Sequence, residues 1–145
     1  MESPVVRPVN LPGDALRVMK QNKTVPACFE DGQSKDDIPE TWFIASDIHL
    51  SDSNETGLVV MPRSPDGACL LGAHTMPFWI LLKRGGKYTV ALEANVLTLR
   101  ALSSVSHKYR DIETTAENLN ETTKWLYRFD GEKYILNKKT SIPQQ

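Results

Sequence analysis

The chain lacks almost every feature that commits a sequence to a particular chemistry. Its 145 residues contain two cysteines, Cys28 and Cys69, too few for a disulfide-dense scaffold and not spaced as Cys-x-x-Cys. As an even pair they would either bridge the N-terminal segment to the rest of the chain or remain as two buried thiols. Three histidines occur, and none falls in a His-x-x-x-His pattern. A Gly-x-Ser-x-Gly nucleophile elbow and a phosphate-cradling glycine loop are both missing. No apolar run approaches the ~20 residues that span a bilayer, so membrane insertion is not expected. A formal net charge of −1 provides no field to attract a phosphate backbone, so nucleic acid is not an expected partner. The start Met1-Glu2-Ser3-Pro4 carries neither a basic region nor an apolar core, which suits a chain without an export signal and equally one whose leader has been removed.

Against these absences, 40% hydrophobic and 24% charged residues match ordinary globular usage. The length suits one domain over residues 1–145, with an extended lead-in at 1–13, where Pro4, Pro8 and Pro12 remove backbone donors, and a tail at 138–145. Asp14 is placed to cap a short helix over residues 15–22, with Ala15, Leu16, Val18 and Met19 on one apolar stripe. Residues 25–40, rich in proline, glycine and charge, read as a surface loop.

From residue 41 the signals are those of strands. Residues 41–50 and 58–61 read as strands separated by a polar turn, and residues 68–73 follow another reversal. Arg84-Gly85-Gly86-Lys87 and Phe129-Asp130-Gly131-Glu132 are two-residue hairpin signatures, because Gly-Gly and Asp-Gly accept positive φ. In residues 87–93, Tyr88, Val90 and Leu92 alternate with polar or small residues, as in a half-buried antiparallel strand. Residues 96–103, an edge-like strand at 109–115, and two arms around the Asp-Gly turn complete the set, with Trp125 and Phe129 expected in the core. The expected fold is α+β: a short N-terminal helix packed on a mostly antiparallel β-meander sheet.

Candidate sites are few. Asp47 and His49 alternate on one strand face and, joined by His74, would offer a carboxylate and two imidazoles to a metal such as zinc, although structural zinc wants four ligands. Asp52, Asn54 and Thr56 give alternating oxygens without the downstream bidentate Glu of a calcium loop. Asp111 and Glu113 share a strand face, as a carboxylate pair or as solvated edge charges. His107 lies in a Ser-His-Lys turn and reads as solvated. The aromatic clusters at Trp42-Phe43, Phe78-Trp79 and Trp125-Leu126-Tyr127 read most simply as core; Phe78 and Trp79, adjacent on a strand, point to opposite faces, so the competing reading displays one of them, beside Pro77, as a recognition patch.

Gly57-Leu58-Val59-Val60 after a polar turn, Leu71-Gly72-Ala73-His74-Thr75-Met76-Pro77-Phe78-Trp79, Tyr109-Arg110-Asp111-Ile112, and the stretch from Tyr127 to Tyr134 occur in an order that resembles small secreted bacterial domains of uncharacterised function. The resemblance covers residues 41–136. The polar turn and the strand after it also resemble a degenerate FG-GAP-type repeat, a calcium-binding unit in its full form, whose acidic spacing has decayed here. What the resemblance implies is an exported, periplasmic or extracellular β-rich domain, and it lends no catalytic role to any residue. The expected function is non-enzymatic binding of a protein or a cell-envelope glycan through Phe78, Trp79 and His74, with no cofactor and with the oligomeric state open. The competing reading is a metal-dependent hydrolase using Asp47, His49 and His74.

Overall fold

The structure, a computed structural model, describes residues 8–22, 38–52, 57–63 and 76–143. Among them the chain is mostly β, with two antiparallel sheets and one short helix. Strands β1 (Pro8–Val9), β2 (Phe43–Ile48), β3 (Gly57–Pro62), β4 (Met76–Arg84) and β5 (Lys87–Val96) form the first sheet, in that order. Strands β6 (Thr98–Ser106), β7 (Tyr109–Glu117), β8 (Glu121–Phe129) and β9 (Tyr134–Pro143) form the second. Each sheet follows the chain order, but the single expected sheet is in fact two. The chain changes sheets at Leu97, whose N–H donates to the Thr115 carbonyl and so starts the β6–β7 ladder instead of continuing beside β4.

The helix α1 (Gly13–Gln21) opens with the Leu16 N–H donating to the Pro12 carbonyl at 2.8 Å. Pro12 holds the cap position and Asp14 lies inside the first turn, where its charge suits the helix dipole but does not cap it. Ala15 and Met19, four residues apart and so on one face, are buried in a cluster with Phe43, Ala45, Leu58, Val60, Trp79 and Leu81. A second cluster joins Val59, Phe78, Ile80 and Leu82 of the first sheet to Leu99, Tyr109, Ile112, Phe129 and Tyr134 of the second. Alternate residues of β4 therefore enter different cores. Each such side chain removed from water contributes about 1.5–3 kcal/mol.

This corrects the reading of Phe78 and Trp79. They do point to opposite faces, but both faces are covered and both residues are fully buried, so neither is displayed. Three further expectations change. The residues from 138, read as a tail, continue β9 as far as Pro143. Strand β7, read as edge-like, lies inside its sheet between β6 and β8. The Asp-Gly hairpin is not a two-residue turn, because Phe129 pairs with Tyr134 across residues 130–133. There the Asp130 carboxylate accepts the N–H groups of Glu132 and Lys133, both at 2.8 Å, and Gly131 takes φ 107°. The Lys133 N–H is the chief reason that the Asp130 carboxyl titrates below its usual range. At the other turn Gly85 and Gly86 take φ 58° and 80°. The two turns meet: Arg84 donates to the Gly131 carbonyl at 2.8 Å and lies over the Phe129 ring.

Thr114 sits among the apolar groups, fully buried, and its hydroxyl has no hydrogen-bond partner among the described residues. An unpaired buried hydroxyl carries a desolvation penalty that an isosteric methyl does not. Thr114→Val is expected to raise unfolding stability by about 1 kcal/mol in urea titration; a loss of stability would mean that the hydroxyl is paired.

Candidate functional site

Among the described residues an open cleft of about 280 Å³ lies between the segment after β2 and the β6–β7 hairpin. His49, Leu50, Ser51 and Asp52, which follow β2, line one side, and Val105, Lys108 and Arg110 of the β6–β7 hairpin line the other. Two sheets thus contribute to it, through segments some sixty residues apart in the chain.

The hairpin side is built by a bulge. Ala101 pairs with Ile112 and Val105 with Arg110, so β6 spends residues 102–104 where β7 spends only Asp111. The bulge frees carbonyls from the ladder, and the Arg110 side chain takes them: its guanidinium donates to the carbonyl of Leu102 at 2.6 Å and to that of Ala101 at 3.2 Å. The same group reaches across to the His49 carbonyl at 3.1 Å, and the Arg110 N–H donates to the Leu50 carbonyl at 2.7 Å. Arg110 therefore clasps the two sheets at the cleft. Its own carbonyl accepts the Tyr134 hydroxyl at 2.8 Å. Burial first, and then the Asp111 charge, push the Tyr134 phenol well above the usual tyrosine range, so it remains a neutral donor.

Asp111 closes the bulge from the other face of β7. Its carboxylate is buried and accepts the Ser104 hydroxyl at 2.6 Å and the Ser106 hydroxyl at 2.8 Å, with Arg128 at 4.0 Å. Glu113 instead pairs with Arg100 at 2.9 Å. The two carboxylates are separately engaged and do not form the paired site that their spacing allows.

The β6–β7 turn is strained. His107 and Lys108 take φ 49° and 73°, the left-handed conformation that glycine adopts freely and other residues adopt at about 1–2 kcal/mol each. The ring Nδ1 of His107 donates to the Phe129 carbonyl at 2.8 Å, so its side chain has a structural task. Lys108 has no hydrogen bond or ion pair among the described residues, and it lines the cleft. Lys108→Gly is expected to raise stability by about 0.5–1 kcal/mol, less than the relieved strain because glycine also frees the unfolded chain. Thermal unfolding checks the sign.

Of the residues that the sequence singled out, His49 lines the cleft, where its Nε2 lies 3.6 Å from the Asp52 carboxylate. Asp47 is exposed on β2 and is not part of the cleft wall. His74, Cys28, Cys69, the strand expected at 68–73 and the oxygens of Asn54 and Thr56 lie outside the described residues. Among the described residues no three His, Cys, Asp or Glu side chains are grouped to hold a metal ion, and no helix is long and apolar enough to cross a membrane. Sequence reasoning passed over Lys108 and Arg110. The turn around Lys108 has no glycine to mark it as a two-residue reversal. For Arg110 a signal was present, since it shares strand parity with the buried Ile112 and Thr114. Comparisons with protein-family models, with curated proteins and with solved structures return no match.

Proposed function

We propose that this chain is a non-enzymatic binding domain that takes an extended segment of a partner protein onto the free edge of β9. One observation carries the reading: β9 runs from Tyr134 to Pro143 at the margin of the second sheet, and among the described residues no strand pairs with its other side. A long edge offers a row of unpaired backbone donors and acceptors, which is the chemistry of strand addition. Ile135, Leu136 and Ile142 are each about half exposed along it and supply apolar contacts. A glycan partner loses its support, because the aromatic platform expected at Phe78 and Trp79 is buried.

The charges choose the partner. Lys138 and Lys139 are exposed at the midpoint of the strand. Full antiparallel pairing of two copies would set Lys138 opposite the second copy's Lys139, twice over, and like charges directly opposite are destabilising. A strand with acidic residues at its centre and apolar residues beside them is the complement. An exported, periplasmic or extracellular setting belongs to the same proposal; it rests on the even pair Cys28 and Cys69, and a reductant-sensitive mass of the intact protein checks it.

A short Val-rich peptide with two adjacent Glu residues at its centre tests the reading by amide hydrogen exchange. Binding is expected to slow exchange at residues 135–142, and Lys138→Glu combined with Lys139→Glu to weaken it roughly tenfold, as two attractive cross-strand pairs become repulsive. Unchanged exchange along β9 at millimolar peptide overturns the proposal. So does a wild-type dimer formed through β9 in sedimentation.

A further inference from the structure

We infer that the cleft between residues 49–52 and the β6–β7 turn binds a carboxylate that carries a short aliphatic arm. This site is separate from β9 and does not depend on the strand-addition reading.

The first argument is charge. Lys108 and Arg110 both line the cleft, and neither has an acidic partner among the described residues. Arg110 uses three N–H groups on carbonyls of Leu102, Ala101 and His49, and a guanidinium has five, so two remain to donate. Carbonyl acceptors orient the group without neutralising it. The acidic group present, Asp52, stands at the rim beside His49, fully exposed to solvent. Two cations against one solvated carboxylate leave the cleft positive.

The second argument is strain. The same chain makes a two-residue turn with Gly85 and Gly86, where positive φ is free. At residues 107–108 it places two side chains in that conformation instead. His107 repays its position by bonding to the Phe129 carbonyl. For Lys108 no contact in the fold does the same. A strained residue whose side chain has no structural contact, on the wall of a concavity, is placed for something that enters the concavity.

The third argument is shape. A volume of about 280 Å³ falls just below the range of drug-sized ligand sites, ~300 to 1,000 Å³, and so suits a smaller group. Val105 is 60% exposed on the rim, and Leu50 is the inner apolar wall. A carboxylate at Lys108 and Arg110 with a branched aliphatic arm against Val105 and Leu50 uses both cations and the apolar wall of the cleft. Such a group comes from a free small acid or from the C-terminus of a peptide.

N-acetyl-leucine, its uncharged amide, and a short peptide ending in leucine with a free or an amidated C-terminus separate these cases. Backbone amide shifts of residues 49–52 and 105–110 are the readout. The acid and the free-ended peptide are expected to shift them, and the two amides are not. A peptide that binds more tightly than N-acetyl-leucine identifies a chain terminus as the source, and equal or weaker binding identifies a small acid; both support the site. Lys108→Gln keeps the strained backbone and is expected to weaken binding by roughly tenfold or more, the loss of one charge-assisted hydrogen bond, while Lys108→Arg retains it. Lys108→Gly is expected to be more stable than the wild type and to bind less well, a combination that a purely structural lysine does not produce. Equal affinity for acid and amide, no change in Lys108→Gln, or shifts confined to residues outside the cleft overturn the inference.

Discussion

Replacing Trp79 by alanine is expected to lower unfolding stability by about 4 kcal/mol, the upper part of the range for truncating a buried aromatic side chain. Trp79 is fully buried in the middle of β4, paired with Val60 on one neighbour and Glu93 on the other. Its ring meets Phe43 edge to face with centroids 6.1 Å apart, and it shares its cluster with Ala15 and Met19 of α1. The cavity would open under the helix, so amide exchange should accelerate in α1 and β2 more than in the second sheet, whose contacts with β4 run through Phe78, Ile80 and Leu82. Trp79→Phe is expected to lose much less. The indole Nε1 is buried without a hydrogen-bond partner among the described residues, so its removal relieves a desolvation penalty that offsets part of the lost volume. A loss below about 1 kcal/mol in the alanine variant would place Trp79 at the surface and reverse the assignment of both faces of β4.

What could be read from the sequence was local. Gly85-Gly86 forces its reversal because two adjacent residues without Cβ atoms lower the barrier to positive φ at no packing expense. The Asp130-Gly131 reversal was equally visible, but its length was not, because the Asp130 carboxylate draws two following N–H groups into a wider loop. The double burial of β4 was also written in the chain. Phe78 to Leu82 is an unbroken apolar run, and such a run marks a strand covered on both sides, whereas the alternation in β5 marks one side. Treating Phe78 and Trp79 as a pair hid the run that contains them. The division into two sheets left only a faint trace, a change of apolar parity from Val90, Leu92, Ala94 and Val96 to Leu97, Leu99 and Ala101 within a continuous β-like stretch, and it is the long-range bond to Thr115 that decides it. β9 looked like a tail for a related reason. A strand exposed along its edge buries little, so no hydrophobic period survives from Asn137 to Ser141. The cleft combines both difficulties: its walls are distant in sequence, and its key lysine sits in a turn that ordinary turn chemistry assigns to glycine.

Arg110→Ala is expected to lower stability by about 3 kcal/mol, through loss of three hydrogen bonds from a charged donor to carbonyls that have left the ladder. The side chain is only half-buried, so water can reach part of what it vacates, and this keeps the loss below the sum of three fully buried bonds. Arg110→Lys is expected to recover less than half of it. An ammonium is a single point on a flexible stem, whereas the acceptors at Ala101, Leu102 and His49 lie on two different elements and need the spread of a planar fork. The damage should be local. Exchange should rise first at residues 49–52 and 102–104, which Arg110 ties together, and least in α1, which belongs to the other core. The Arg110 N–H would still hold the Leu50 carbonyl, and the buried Leu50 side chain would still sit in the inter-sheet core. A loss below about 1 kcal/mol would therefore mean that Leu50 alone fastens the sheets at this end. Uniform acceleration of exchange throughout the chain would mean that the clasp supports the whole domain, and the cleft could then not open without unfolding it.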